Sequence, residues 1–212
     1  MIDLDNTLVD RRAAFGTWVS AFIAEVGGMD ADIAWMLAVD RDGYQPRASL
    51  AQALLDRFHL AATPNQLDDR LLHEHVELIE LFPGVRAALA ALTAAGTRIV
   101  VVTNGTVAQQ TAKVTRAGLQ HVVDDVVISE AVGVKKPDPR IFRAAVRQTL
   151  AASSPGGTWM VGDHPIADIA GARNFGLQTG WVSHGCAWTA DWSPTISKRT
   201  TVEVLELLLE ID

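Results

Sequence analysis

The sequence predicts an α/β fold: a parallel sheet with helices on both faces, interrupted near its start by a small all-helical insertion. Three observations carry this expectation. Short apolar runs at residues 97–103, 125–129 and 158–161 alternate with segments of helical spacing, the pattern of a sheet buried on both sides. Residues 11 to about 81 show helical periodicity and no strand signal. With 212 residues, 49% of them hydrophobic, the chain can bury a sizeable core and sits near the boundary between one domain and two. The expected division is a sheet domain of residues 1–10 and 82–212 and a helical domain of residues 11–81.

The opening strand is short, because only Met1 and Ile2 precede Asp3, whereas strands usually run about five or six residues. Phe15, Val19, Phe22, Ile23 and Val26 then recur at helical spacing until Gly27-Gly28 ends the run. Asp30 is placed to cap a helix through Met36 and Val39, and residues 40–46 read as a loop. Leu50, Leu54, Leu55 and Phe58 mark a third helix. Thr63-Pro64-Asn65-Gln66 reads as a capped start with proline at the first helical position, continued by Leu67, Leu71 and Leu72. Beyond Pro83-Gly84 a helix ends at Gly96 and leads to the strand ending at Thr103. A helix from Thr106 to about Ala117, closed by Gly118, leads to the strand ending at Ser129. Pro139 suits the first turn of a helix carrying Ile141, Phe142, Val146 and Leu150. After the strand ending at Val161 come a helix near 167–174, a strand at 178–183 and a loop with Trp188 and Trp192. A capping box, Thr200-Thr-Val-Glu203, opens a last helix with Leu205, Leu208 and Leu209 inward.

A net charge of −7 provides no basic field for nucleic acid or an anionic membrane, so neither is expected as a partner. The single cysteine, Cys186, excludes an internal disulfide and a cysteine-based zinc cluster and reads as a small packed or partly exposed residue. No hydrophobic stretch approaches the length that spans a bilayer, and the amino terminus has acids where a signal peptide has bases, so a cytoplasmic protein is expected.

Asp3 and Asp5 alternate with Ile2 and Leu4, so on a strand both acids project to one side. Two like charges that close need a reason. A divalent cation is one, because Mg²⁺ prefers sites of a few carboxylates, waters and a substrate phosphate. A nucleophile and acid/base pair is another, since neighbouring carboxylates push each other's pKa apart. A solvated strand end with Asn6-Thr7 forming a turn is the bland alternative. Three later groups bear on the choice: Thr103-Asn104-Gly105, Lys135-Lys136-Pro137-Asp138-Pro139, and Gly162-Asp163 with Asp168 five residues on. Each lies at or just after the carboxyl end of a predicted strand, the edge at which open α/β sheets assemble their sites.

The ordered set Asp3-Leu-Asp5-Asn-Thr7, Thr103-Asn-Gly105, Lys136-Pro137 and Gly162-Asp163 with Asp168, together with Leu81-Phe-Pro-Gly84 before the second group, resembles the haloacid dehalogenase-like (HAD) hydrolase superfamily in its phosphatase branch. The resemblance implies a Rossmann-like core with a helical C1-type cap inserted after the first strand, a lid that closes over the site and selects the substrate. It implies Asp3 as the nucleophile that forms an aspartyl phosphate, and Asp5 as the acid that protonates the leaving alcohol and then activates water. Because true dehalogenases carry no acid at that place, Asp5 argues against carbon–halogen cleavage. Thr103, Asn104, Gly105 and Lys136 would hold the phosphoryl group, with Lys135 facing solvent. Mg²⁺ would be ligated by Asp3, Asp163 and the backbone carbonyl of Asp5, with Asp168 acting through a metal water or by orienting Lys136.

Arg41, Tyr44 and Arg47, on the loop of the helical segment, are the candidates for substrate contact, because loops carry recognition more often than helix faces do. His164 and His184 read as loop histidines hydrogen-bonded nearby. The expected partner is a small phosphorylated metabolite, and the expected assembly a monomer or homodimer. Alternatives are a phosphomutase of the same superfamily, or a catalytically weak phospho-ligand-binding or receiver-like protein.

Overall fold

The structure, a computed structural model, describes residues 1–149 and 157–211, so Leu150 of the expected helix lies outside the described residues. It divides into two compact units, residues 1–10 with 81–212, and residues 11–80. Leu81 falls with the first unit because it bridges Val9, and the adjoining Phe82 N–H donates to Leu8 O at 3.0 Å.

In the first unit, β1 (Val100–Thr103) pairs in parallel with β2 (Asp125–Ile128), and β3 (Trp159–Gly162), β4 (Gln178–Val182) and β5 (Ile196–Lys198) pair in parallel with one another. The opening residues join the two sets. Ile2 bridges both Val101 and Val161 in parallel, with Ile2 N donating to Val100 O at 2.9 Å and Asp3 N to Val161 O at 2.9 Å. Two or three residues therefore suffice where a longer strand is usual, because partners stand on both sides of them. The spatial order is β2, β1, the opening segment, β3, β4, β5. All four residues of β1 are buried, which is why that run reads as continuous valine rather than as an alternation.

Val100, Val102 and Met160 pack with Ile141, Phe142 and Ala145 of α8 (Pro139–Thr149) and Ala172 of α9 (Gly171–Phe175). Strand alternation turns Val101 and Val161 to the other face, where α10 (Thr201–Ile211) meets both the sheet and α5 (Val85–Ala94). Gly180 permits the close approach of α10, since a Cβ there would sit 2.7 Å from Val204 Cγ1. Two further helices, α6 (Val107–Arg116) and α7 (Ser129–Val132), follow β1 and β2. The helix expected near 167–174 begins earlier, as a π-helical turn at Pro165–Ala170, because the His164 side chain caps it by accepting from Ile166 and Ala167 N–H. Strand β5 was not expected: Ile-Ser-Lys is too short to carry a pattern, and pairing with β4 alone makes it a strand.

The helical unit contains α1 (Arg11–Glu25), α2 (Asp30–Asp40), α3 (Arg47–Phe58) and α4 (Pro64–His73), with 3₁₀ turns at Arg41–Gly43 and Glu74–Leu78. Phe15, Trp18, Val19, Phe22 and Ile23 of α1 meet Met36, Leu50, Leu54, Leu67 and Leu71 in one apolar core. The Thr63 capping box forms as the sequence predicts, its side chain accepting from Gln66 N–H. At α2 the expectation needs correcting. Asp30 is already helical, and it is Asp32, one turn in, whose carboxylate accepts the Met29 N–H at 2.8 Å.

Candidate functional site

The opening segment aims its acids by turning tightly just after them. Leu4 is fully buried, and its carbonyl accepts from the N–H groups of Leu8 and Val9 at 2.9 and 3.0 Å. Asn6 adopts φ 59°, a left-handed conformation that asparagine tolerates. The turn is tied down from the far end of the chain: Thr201 Oγ1 donates to Thr7 O at 2.5 Å, and the His184 ring nitrogen Nε2 lies 2.6 Å from Asn6 O. Phe82 packs against the same imidazole, their ring centroids 5.5 Å apart.

Strand β1 and the segment after α7 supply the basic group. Lys136 is buried and Lys135 exposed, so of the adjacent pair it is Lys136 that points inward. Its Nζ donates to Asp3 Oδ1 at 2.5 Å and to Val102 O at 2.5 Å, and lies 2.7 Å from Asp168 Oδ1. Asn104 fixes it by two contacts, Lys136 N–H to Asn104 Oδ1 at 2.8 Å and Asn104 Nδ2 to Lys136 O at 3.1 Å. The Asn104 side chain is thus committed to the lysine backbone rather than to a phosphoryl group. The Gly105 N–H is likewise committed, donating to Ser129 Oγ at 3.0 Å. Thr103 keeps its hydroxyl in the interior at 1% exposure.

The carboxyl end of β3 brings the remaining acids. Gly162 is required here, because a Cβ would lie 2.4 Å from Asp168 Oδ2 as that carboxylate folds back to accept the His164 N–H at 3.0 Å. Asp163 receives a long contact from Thr7 Oγ1 at 3.4 Å, and its carbonyl accepts from the Trp181 indole at 2.9 Å. Oxygens of Asp3, Asp163 and Asp168 all lie within 4.8 Å of one another.

Three carboxylates beside one ammonium make this cluster acidic. Burial pushes the Asp3 carboxyl up to about 7 against the attraction of Lys136, and Asp168 and Asp5 add to the push. Burial also works against the Lys136 charge, but the Asp168 and Asp3 carboxylates outweigh it and hold the ammonium above its ordinary range. The donor set is all oxygen, buried or half-buried, and short of positive charge, so it fits a hard divalent cation. Both Asp168 oxygens are already engaged, by Lys136 and by the His164 N–H, which suits Asp168 to holding the lysine.

Asp5 has neighbours the sequence reading missed. Lys113 Nζ stands 2.7 Å from each Asp5 oxygen, and Gln110 Nε2 contacts Asp5 Oδ2 at 3.0 Å and Thr103 Oγ1 at 2.5 Å. The signal was present: on α6 the inward stripe 110, 113, 114 and 117 carries two long polar side chains where apolar ones are expected, and all four are buried.

In the helical unit, Arg47 is held by Asp40 at 2.5 Å and lies over the Phe15 ring, so it is a packing group rather than a free contact residue. Arg41 and Tyr44 are exposed on the loop. His164 serves as the cap described above, and Cys186 is exposed.

Residues 1–182 match the family described as haloacid dehalogenase-like hydrolase. The chain is 30% identical over 224 residues to glyceraldehyde 3-phosphate phosphatase of Pyrococcus abyssi, a match covering 99% of this chain and 91% of that protein. It is 36% identical over 152 residues to pyrimidine 5'-nucleotidase YjjG of Escherichia coli, covering 70% of this chain and 66% of the nucleotidase. Among solved structures, YfnB from Bacillus subtilis bound to magnesium superposes with a TM-score of 0.80 at 23% identity, over 98% of this chain and 96% of that one.

Proposed function

The chain belongs to the haloacid dehalogenase-like hydrolase family, and from that premise we propose that it is a Mg²⁺-dependent phosphatase of small phosphomonoesters working through an aspartyl phosphate on Asp3. The observation that carries the reading is the buried Lys136 ammonium shared between Asp3 and Asp168, with Asp163 in the same cluster. Asp3 attacks phosphorus as the bond to the leaving oxygen breaks, and Asp5 delivers its proton to that oxygen. Asp5, now ionised, takes a proton from water, which hydrolyses the acyl phosphate and restores Asp3. Splitting one displacement into two is what a carboxylate nucleophile offers, and a single group can serve as acid and then base.

Lys136 neutralises charge on the transferred group, and the Thr103 hydroxyl donates to it. Asp168 acts by orienting Lys136, and Asn104 by holding its backbone. Asp3 and Asp163, with the Asp5 carbonyl, would hold Mg²⁺, which when bound supplies positive charge against the phosphoryl oxygens. The residues 11–80 act as the cap that selects the substrate, and relatives named for glyceraldehyde 3-phosphate, phosphoserine and pyrimidine nucleotides support a small phosphorylated metabolite. Asp5 favours phosphoryl over carbon–halogen chemistry, because an acid is needed to protonate an alkoxide and not a halide.

The deciding experiment is phosphate release from a phosphomonoester panel with Mg²⁺, run beside Asp3→Asn and a 2-haloacid. Phosphate from the intact protein and none from the variant is the expected result. Halide release, or equal phosphate from both proteins, overturns the reading.

A further inference from the structure

Lys113 and Gln110 are buried polar groups to which the chemistry above gives no part. A lysine at 2% exposure requires a counter-charge, and Lys113 finds it in Asp5, with Nζ equidistant from both carboxylate oxygens at 2.7 Å. Lys113 acts as a point charge, and a second contact from another side chain, Gln110 Nε2 at 3.0 Å from Asp5 Oδ2, restrains the carboxylate where the lysine alone would leave it to rotate. Gln110 adds direction. An ionised carboxylate only accepts, so the amide nitrogen of Gln110 must be the atom that faces Asp5. That same nitrogen stands 2.5 Å from Thr103 Oγ1 and cannot accept, so Thr103 accepts from it and must aim its own proton elsewhere. Space for the arrangement comes from Gly105, where a Cβ would lie 2.7 Å from Gln110 Cγ.

We propose that Gln110 and Lys113 are positioning residues for phosphoryl transfer. From one face of α6 they fix the Asp5 carboxylate and make the Thr103 hydroxyl a donor toward the transferred group. The proposal rests on the reading of Asp5 as acid and base. Lys113 and Gln110 keep all their protons throughout: Asp5, ionised against Lys113 in this structure, takes a proton from solvent before transfer, gives it to the leaving oxygen and recovers one from the attacking water. Neither side chain touches substrate.

The test is a double-mutant cycle on the full chain with Mg²⁺. The substrate is p-nitrophenyl phosphate, whose leaving group needs little protonation, so the Asp5→Asn background stays measurable. Lys113→Met is expected to lower kcat by about 10- to 100-fold with KM changed less than about threefold, a part of the roughly 10²- to 10⁴-fold that acid–base catalysis supplies. In the Asp5→Asn background the same substitution should cost less than about twofold, because residues acting as a unit are not additive. Gln110→Met, which removes no charge, is run through the same cycle and decides the matter if circular dichroism finds Lys113→Met unfolded.

A merely structural lysine would lower both backgrounds by the same factor. That result, or unchanged kcat in the single variants, overturns the proposal while leaving the phosphatase reading intact. Asp5→Asn retaining full activity on an alkyl phosphate, whose leaving oxygen must be protonated, overturns the reading itself and the proposal with it.

Discussion

Each of the two units buries ionic groups, and the way each balances them separates a lock from a site. In the helical unit Asp40 lies between Arg11, at 2.8 Å, and Arg47, at 2.5 Å, with both guanidinium groups over the Phe15 ring. Each charge of this cluster has a partner inside the unit, the one positive charge in excess lies toward solvent at the less buried Arg47, and the Gly43 N–H completes the set at 2.8 Å from Asp40 Oδ2. In the sheet unit Asp3, Asp163 and Asp168 share one lysine, and the cluster is left negative. Paired buried charges hold structure together, because removing one strands the other. Unbalanced ones store a demand for a cation or an anionic group that brings one, and where burial already raises an acid's pKa, as at Asp3, neighbouring carboxylates add to the rise.

The largest effect expected from this contrast is at Asp3. Asp3→Asn should abolish turnover, by on the order of 10³-fold or more in kcat, while the metal-free protein melts at the same temperature or higher, because Lys136 keeps Asp168 and an acidic cluster loses one buried charge. Phosphate release and thermal melting measured together check both halves, and a large fall in Tm would erase the distinction between the units.

At Asp40 the opposite pattern is expected. Asp40→Ala leaves Arg11, at 3% side-chain exposure, without its carboxylate, and should cost about 3–5 kcal/mol in urea unfolding.

The third prediction concerns metal and pH. The folded pKa of Asp3, raised to about 7, lies above its unfolded value, so its contribution to the stability of the metal-free protein is complete below the ordinary carboxylate range and is lost as pH rises through about 7. A cation competes with that proton. Saturating Mg²⁺ should therefore stabilise by about 1–3 kcal/mol at pH 8.5 and by much less at pH 5.5. Melting curves with Mg²⁺ and with chelator at the two pH values provide the measurement, and an equal Mg²⁺ shift at both would sink the assignment of the raised group to the cation cluster.

The smallest effect is a control that involves no buried charge. Thr63→Ala removes a capping box at α4 and should cost about 1 kcal/mol, with kcat unchanged.

The periodicities that fixed the α/β class were legible because burial on both faces writes continuous valine into β1, and burial on one face writes the helical stripes of α1 and α3. Asp3, Lys136, Asp163 and Asp168 could be singled out because each follows a strand at the same edge of the sheet. Other features were silent for a physical reason. Strand β5 is three residues that only β4 makes a strand, and the early start of the π-helical turn depends on a histidine folding back over two amides. Whether Asn104 faced a phosphoryl group or the Lys136 backbone could not be read from its place after β1, since both uses need the same residue at the same strand end.

The sequence by itself determined the order of the main helices and of every strand but β5, and the set of acids, hydroxyl and lysine at one sheet edge, since hydrophobic period and strand-end position are local properties. Only the tertiary structure decided which charges balance. That Lys113 answers Asp5 across 108 positions, that Lys136 is divided between Asp3 and Asp168, and that Asp163 joins their cluster are facts of distance. Coulomb energy depends on separation in space and on burial, and neither is carried by separation along the chain.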